Sequence, residues 1–187
     1  MDPVILKSDR FTLRVPGPAD AGAMADFYRR NREFLQPTYP TFTPAFFQEE
    51  NWRTRLGAAQ AEFLAKASMR TVIFDLQGHA IGVANFHSFS FRPLYDCLLG
   101  YAMDEHKQGK GILTEALTGA IPYVFKTFNL HRITAGYMPR NERSARVLRG
   151  LGFRVEGYFR DYLLINGKWE DHVVTSRLNE EWQPEEL

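Results

Sequence analysis

The sequence of 187 residues predicts a single α/β domain: a mixed, mostly antiparallel seven-stranded sheet with a central parallel pair and helices on both faces. A strand, a helix and a second strand follow one another between residues 98 and 138, and such a unit is parallel and right-handed. Two later strands meet at Asn166-Gly167, a dipeptide that strongly favours a hairpin turn. The hydrophobic content of 44% is enough for one sizeable core. We therefore expect one domain over residues 1–187, with an acidic tail at 179–187 that frays.

The strands are predicted where apolar residues alternate with polar ones or form short runs between turn residues. They span residues 10–15, 71–75, 80–88, 98–103, 132–138, 155–165 and 168–178. Four helices are predicted: from the cap Asp20 to about residue 31, from Thr43-Pro44 to about residue 66, after Gly111, and from Asn141 to residue 150. The second should bury Trp52, Leu56, Phe63 and Leu64. Pro122 lies inside the third helix, where it costs about 3 kcal/mol unless the helix kinks.

The turn between the strand at 98–103 and the next helix reads His-Lys-Gln-Gly-Lys-Gly at residues 106–111. The first amides of a helix have no intrahelical partner, and the helix dipole places partial positive charge there. Gly109 and Gly111 lack the Cβ that would hold a phosphate oxygen away from the backbone. The turn thus predicts a pyrophosphate site made of backbone N–H groups from Lys107 to Ile112, with Lys110 adding charge. It matches neither the Walker loop nor the dinucleotide fingerprint.

Composition excludes several other classes of function. A net charge of +1 gives no global electrostatic case for a nucleic-acid site. The single cysteine, Cys97, excludes an intrachain disulfide framework and any cysteine-based zinc cluster, as suits a reducing cytosol. His87, His131 and His172 do not have metal-ligand spacing, so we expect no metal site. No apolar run reaches about 18 residues, so we expect no membrane contact and a cytoplasmic protein.

Several motifs, taken in order, resemble one protein family. They are Asn31-Arg32-Glu33-Phe34-Leu35, Gly82-Val83-Ala84-Asn85-Phe86, Gln108-Gly109-Lys110-Gly111, Met138-Pro139-Arg140-Asn141, Leu151-Gly152-Phe153, Glu156-Gly157-Tyr158, the run at 161–167, Trp169 and Asp171-His172. The chain resembles the GNAT acetyltransferases from Arg10 to Trp182, and within them the RimJ/RimL group of ribosomal-protein alanine N-acetyltransferases, RimJ type. Two positions depart from the family pattern: His106 replaces the usual Arg or Gln, and Thr38 replaces the usual Trp.

The resemblance implies a GNAT-like fold and acetyl-CoA as co-substrate. The residues it implies for the cofactor site are Tyr101, Ala102, Met103, Lys107, Gln108, Gly109, Lys110, Gly111, Ile112, Asn141 and Ser144. Ser144 would protonate the departing sulfur and Asn141 would contact the pantetheine arm, although both positions equally suit a helix cap. Tyr162 or Asp161, or Glu156 through a water, would take the amine proton, although Asp161 more simply suits an exposed strand face. The catalytic positions that the resemblance implies are Ser144, Asn141 and Tyr162. The resemblance also implies that the loop at 34–42 forms one wall of the acceptor groove, where Asn85 offers a contact.

The expected acceptor is a protein N-terminus, most simply the alanine of a ribosomal protein, attacked directly in a ternary complex. An α-amine has a pKa of about 7.7–8 against about 10.4 for lysine, so a modest base suffices. Two alternatives stay open. One is acetylation of a small amine such as an antibiotic or a polyamine, for which an acidic groove would be needed. The acidic residues available are Asp104, Glu105, Asp161, Glu170 and Asp171. The other is an acyl-CoA- or ribosome-binding protein without catalysis.

Four arginines recur every third residue at Arg140, Arg143, Arg146 and Arg149. At that spacing they drift around the helix, so a solvated face is favoured over a patch for adenosine phosphate or ribosomal RNA.

Overall fold

The computed structural model describes residues 3–184, which form an eight-stranded sheet flanked by helices on both faces. The strands are β1 (Val4–Lys7), β2 (Phe11–Arg14), β3 (Met69–Asp75), β4 (Ala80–Ser90), β5 (Asp96–Met103), β6 (Arg132–Tyr137), β7 (Arg154–Ile165) and β8 (Lys168–Leu178). Their order across the sheet is β1-β2-β3-β4-β5-β6-β8-β7, and β5 with β6 is the parallel pair. The predicted fold class is confirmed, and the predicted count of seven strands is wrong by one.

The strand that the sequence did not predict is β1, at the edge of the sheet beside β2. It is four residues long, and its run Val4-Ile5-Leu6 shows no alternation. A contact with a distant part of the chain holds this strand in place. Leu6 packs against α4 over Gly119, where a Cβ would come within 2.8 Å of the leucine methyl. A pattern based on neighbouring residues contains no trace of that contact.

The helices are α1 (Ala21–Arg30), α2 (Arg32–Leu35), α3 (Glu49–Leu64), α4 (Ile112–Phe128) and α5 (Glu142–Gly150). The prediction that a helix begins at Thr43-Pro44 is wrong. A short 3-10 turn, Pro44–Phe47, follows Thr43, and the extended Gln48 separates it from α3. This turn lets the Phe46 carbonyl accept a 2.7 Å hydrogen bond from the Trp52 indole while Phe46 packs on Tyr28.

Two further predictions concern the buried residues of α3 and the proline inside α4. Trp52 and Leu56 are buried as predicted, whereas Leu64 at the end of α3 is 82% exposed. Pro122 does not divide α4, which continues over 17 residues as one helix with the proline on its exposed side. On that side water can hydrate the carbonyl that loses its amide partner, which limits the cost of the missing bond.

The sheet separates two hydrophobic layers. One lies under α4 and α5 and includes Cys97, Leu99, Ile133 and Ala135 of β5 and β6. The other lies under α1 and α3 and includes Val72, Val83 and Ala102. Because side chains alternate along a strand, consecutive residues of β5 face opposite layers. Tyr101 therefore faces α4 and α5, and Gly100 faces the other side.

The hairpin of β7 and β8 turns at Asn166-Gly167 as predicted, and the Asn166 amide donates to the Tyr39 carbonyl at 2.9 Å. The predicted frayed tail differs from the structure where the structure describes it. Trp182 packs on Tyr95 and donates its indole N–H to the Asn129 carbonyl at 3.0 Å. Residues 185–187 of that tail lie outside the described residues.

Candidate active site

The parallel strands β5 and β6 separate towards their carboxyl ends. Their pairing runs from Asp96 with Arg132 to Leu98 with Thr134, whereas β5 continues to Met103 and β6 to Tyr137. Each strand keeps its other neighbour over this stretch, β4 for β5 and β8 for β6. The result is a wedge-shaped gap in the middle of the sheet, in which backbone groups of β5 are free to bind a ligand.

The glycine turn closes one end of this gap. Gly109 and Gly111 have φ angles of 71° and 73°, in the left-handed region that favours glycine. Gly111 is the N-cap of α4 and offers no side chain to cap it, so the first amides of this helix remain available to a ligand. A Cβ at either glycine would project into open space. One expectation needs correction: the Lys107 amide donates to the Asp104 carbonyl at 3.0 Å and is not available to an anion.

The buried carboxylate of Asp104 holds the start of this turn. It accepts hydrogen bonds from the His106 amide at 2.9 Å and the Asn31 amide group at 3.1 Å, and it forms an ion pair with Arg30. The Asn31 side-chain oxygen in turn accepts from the Glu105 amide at 3.0 Å. Burial alone would raise the pKa of Asp104, but these hydrogen bonds and the Arg30 charge lower it. No local sequence pattern reveals this anchor, because Asn31 and Asp104 lie 73 positions apart.

The gap and the turn open into a groove of about 840 Å³, here called the glycine-loop groove. Every residue predicted for the cofactor site lines it, and so do Phe34 and Leu35 of α2 and Thr38 and Tyr39 after that helix. Arg143 and Arg146 also line it, and Arg143 donates to the Gln108 side chain at 2.7 Å. The groove thus combines free helix amides with several cations, which suits a pyrophosphate.

Within this groove the Tyr101 hydroxyl and the Ser144 hydroxyl are 2.7 Å apart. Asn141 is the N-cap of α5, and its side-chain oxygen accepts from the Ser144 amide at 3.1 Å. Asn141 therefore caps α5, and its side chain orients Ser144. Burial raises the pKa of Tyr101 to about 12, opposed by its bond to Ser144, so the phenol stays protonated near neutral pH. Tyr101 was predicted for its backbone alone, because the pairing of its hydroxyl with a residue 43 positions away leaves no local sequence signal.

The candidates for taking the amine proton lie elsewhere. Tyr162 does not line the glycine-loop groove; it is on β7, 38% exposed, with its ring against His172. Glu156 is bound to Arg132 at 3.1 Å and accepts from Ser176 at 2.5 Å. Asp161 is exposed, and its backbone amide donates to Asp171 at 2.8 Å. The structure therefore brings Ser144 and Asn141 together but not Tyr162 with them.

A second groove of about 700 Å³ lies on the opposite face of the sheet, under α1 and α3, here called the aromatic groove. Tyr28, Phe42, Phe46 and Trp52 form one wall, and Asn85 and His87 of β4 lie on its floor. Tyr39 lines both grooves. The loop at 34–42, predicted to be a wall of an acceptor site, thus lies where the two grooves approach each other.

Most of the acidic residues considered for a polyamine site already bind other groups of the protein. Glu170 binds Arg140 at 2.5 Å, Asp171 accepts from the Tyr158 hydroxyl at 2.5 Å, and Asp104 is held as described above. Within residues 3–184 no group of His, Cys, Asp and Glu side chains is arranged to hold a metal ion. No helix in the same described range is long and apolar enough to cross a membrane.

Comparison with known proteins decides the family. Residues 10–154 match the acetyltransferase (GNAT) domain family. The chain belongs to this family. It is 41% identical to the [ribosomal protein uS5]-alanine N-acetyltransferase of Escherichia coli over 182 residues, 97% of this chain and 94% of that protein. The predictions of the family and of an acetyltransferase are confirmed.

Two solved structures show the same fold. Ribosomal-protein-S5-alanine acetyltransferase from Vibrio fischeri superimposes with a TM-score of 0.94 at 37% identity, covering 98% of this chain and all of that one. RimJ from Mycobacterium smegmatis, in complex with CoA-disulfide, superimposes with a TM-score of 0.84 at 28% identity, covering 91% of this chain and 83% of that one.

Proposed function

We propose that this GNAT protein transfers the acetyl group of acetyl-CoA to the α-amine of an N-terminal alanine on a ribosomal protein. The observation that carries this proposal is the extent of the similarity to the E. coli uS5-alanine enzyme, which covers 97% of the chain. It therefore includes the loop at 34–42 and the β7–β8 hairpin as well as the family's shared domain. Because ribosomal proteins are made in the cytoplasm, we propose a cytoplasmic protein, with a single domain over residues 1–187.

Acetyl-CoA fits the glycine-loop groove in charge and in shape. The amides of Gly109, Gly111 and Ile112 would bind the pyrophosphate, with Lys110 and Arg143 beside it. The backbone of β5 from Tyr101 to Met103 would pair with the pantetheine arm in the gap beside β6. When bound, acetyl-CoA supplies the thioester that the amine attacks.

The Tyr101–Ser144 pair would serve the leaving group. Ser144 would donate its hydroxyl proton to the sulfur as the C–S bond breaks, and Tyr101, kept protonated by burial, would return a proton to Ser144. Asn141 would act as a positioning residue, because it fixes the first turn of α5 that carries Ser144. Tyr162 would help to take the proton of the acceptor amine, on the side where its ring packs against His172.

An α-amine acceptor agrees better with the charges than a polyamine does. A polyamine would need several free carboxylates close to the thioester, and Asp104, Glu170 and Asp171 are already bound within the protein. An N-terminal α-amine carries one charge and is partly neutral near pH 7, so it needs one proton acceptor.

The test is acetyl-CoA turnover, followed as free thiol, with peptides that differ only in a first residue of Ala, Ser or Met. Spermidine and an aminoglycoside are assayed alongside, and mass spectrometry locates the acetyl group. We expect acetylation of the alanine α-amine. Turnover restricted to the small amines would overturn the acceptor assignment, and cofactor binding without turnover on any peptide or on intact ribosomal protein would indicate a binding protein.

A further inference from the structure

Two glycines leave the sheet without side chains on either side of the gap between β5 and β6. Gly100 of β5 and Gly136 of β6 both lie beyond the last paired residues, Leu98 and Thr134. Ile133 and Ala135 face the layer under α4, so Gly136 faces the opposite side, as Gly100 does. Gly136 is exposed and Gly100 is half-buried. A molecule that approaches from the side away from α4 therefore meets no side chain from these two positions.

One histidine lies next to each of these glycines. A Cβ built on Gly100 would lie 4.0 Å from Nε2 of His87, and a Cβ built on Gly136 would lie 3.6 Å from Cδ2 of His172. His87 is on β4 and His172 is on β8, the outer neighbours of the two separated strands. The two imidazoles thus border the bare strip over the gap.

His172 has the properties of a proton acceptor. Its side chain is buried, with the residue only 5% exposed, and Nδ1 lies 3.0 Å from the Glu170 carbonyl oxygen. A carbonyl only accepts, so Nδ1 carries the hydrogen and Nε2 of the neutral ring has a free lone pair. Nε2 has no hydrogen-bond partner within residues 3–184, and no enclosed side-chain nitrogen or oxygen in that range lacks one. Nε2 is therefore not fully enclosed, and it is bonded to the carbon that lies beside Gly136.

We propose that His172 takes the proton of the acceptor amine, which reaches the thioester over Gly136 and Gly100. This inference rests on the proposed function. Nε2 takes one proton from the N-terminal ammonium, directly or through one water, and the neutral nitrogen then forms the C–N bond to the acetyl carbon. The C–S bond breaks, and the sulfur takes the proton of the Ser144 hydroxyl. The nitrogen loses its second proton to solvent, Tyr101 returns a proton to Ser144 and regains one from solvent, and His172 releases the proton that it took. The products are the acetylated N-terminus and free CoA.

The surroundings of the two histidines distinguish their roles. From β6, His172 is faced by Gly136, and from β7 by Tyr162; on β8 it interacts electrostatically with the Asp171 carboxylate. His87 instead faces Arg70 of β3 and Glu62 of α3. Burial and then the Arg70 charge lower the pKa of His87, with Glu62 opposing, so His87 is a weaker base than an ordinary histidine. Its Nδ1 lies 3.0 Å from the Ser88 hydroxyl, which can donate or accept and does not determine the tautomer.

Two substitutions separate the chemical role of His172 from a structural one. His172→Asn keeps a side-chain N–H where Nδ1 donates to Glu170 and removes Nε2, whereas His172→Gln keeps a nitrogen near Nε2 and loses the bond to Glu170. Neither amide can take a proton, so both variants depend on the roughly one tenth of the α-amine that is already neutral at pH 7. We therefore expect both to lose about tenfold in kcat/KM for the alanine peptide at that pH. Acetyl-CoA affinity and Tm of His172→Asn should match the wild type. His79→Gln, at an exposed turn, is the control.

The pH profile provides the decisive readout. Above the pKa of the α-amine, about 8, the nitrogen of the peptide is already neutral, so the deficit of His172→Asn should largely disappear by pH 9.5. An active His172→Asn, or a deficit that is constant with pH, would overturn the proposal. Alkaline recovery in His87→Gln with normal activity in the His172 variants would assign the role to His87 and also overturn it.

The same assays distinguish failure of this inference from failure of the proposed function. If the wild type turns over no peptide, the proposed function fails; if it turns over the alanine peptide and His172→Asn does so equally, this inference alone fails. Should His172→Asn unfold, Gly136→Ala decides, because its methyl makes only ordinary contacts at 3.6 Å yet narrows the strip beside Nε2. Unchanged peptide kinetics in Gly136→Ala would then contradict the proposed path.

Discussion

The hydroxyl pair of Tyr101 and Ser144 combines a short contact with a phenol that remains protonated. If Ser144 protonates the departing sulfur, Ser144→Ala should lower kcat about 10- to 100-fold with KM for acetyl-CoA nearly unchanged. Steady-state kinetics with the alanine peptide measure this, and Ser90→Ala serves as the control. A rise in KM without a fall in kcat would mean that Ser144 only binds the cofactor.

Gly111 shows how one backbone angle affects a ligand site. Its φ of 73° costs an alanine about 1–2 kcal/mol, although a Cβ there meets no neighbour. We expect Gly111→Ala to lower the free energy of unfolding by about 1 kcal/mol and to raise Kd for acetyl-CoA about tenfold, since the methyl points into the phosphate site. Gly150→Ala is the matched control, because its φ is helical and its surroundings are equally open. Denaturation and calorimetric titration report the two quantities, and equal effects in both variants would contradict this account.

At the scale of elements, Asp104 connects the end of α1 to the turn that precedes α4. We expect Asp104→Asn to lower the free energy of unfolding by about 2 kcal/mol at pH 7 and to raise Kd for acetyl-CoA. The pKa of Asp104 is lowered in the folded protein, so its carboxylate stabilises the fold above the unfolded value of about 3.9. That contribution is lost as the pH falls through the folded pKa.

Urea denaturation at several pH values tests the role of Asp104. The difference between the wild type and Asp104→Asn should be constant from pH 7 to about 5 and should shrink as the pH falls below about 4. A difference that stays constant down to pH 3 would mean that the charge of Asp104 is not what stabilises the turn.

The elements also show which parts of the fold were accessible from the sequence. The helix after Gly111 and the hairpin at Asn166-Gly167 depend on neighbouring residues, and both were predicted. The start of α3 was predicted too early, because Thr43-Pro44 has the pattern of a cap while the packing of Phe46 on Tyr28 and Trp52 determines the turn. The pairing of Tyr101 with Ser144 and the place of His172 beside Gly136 join distant segments. No local spacing encodes such contacts.

For the whole molecule, the two grooves imply a kinetic mechanism. One lies on the side of α4 and α5 and the other under α1 and α3, and Tyr39 lines both, so cofactor and acceptor can be bound together. The one cysteine, Cys97, is buried, and burial raises the pKa of its thiol, so it is a poor acyl carrier. We therefore expect direct transfer in a ternary complex: initial-rate lines for acetyl-CoA and the alanine peptide should intersect, and acetyl-CoA should not exchange with labelled CoA without peptide. Parallel lines together with rapid exchange would reveal an acetylated enzyme and would require a nucleophile other than the groups assigned above.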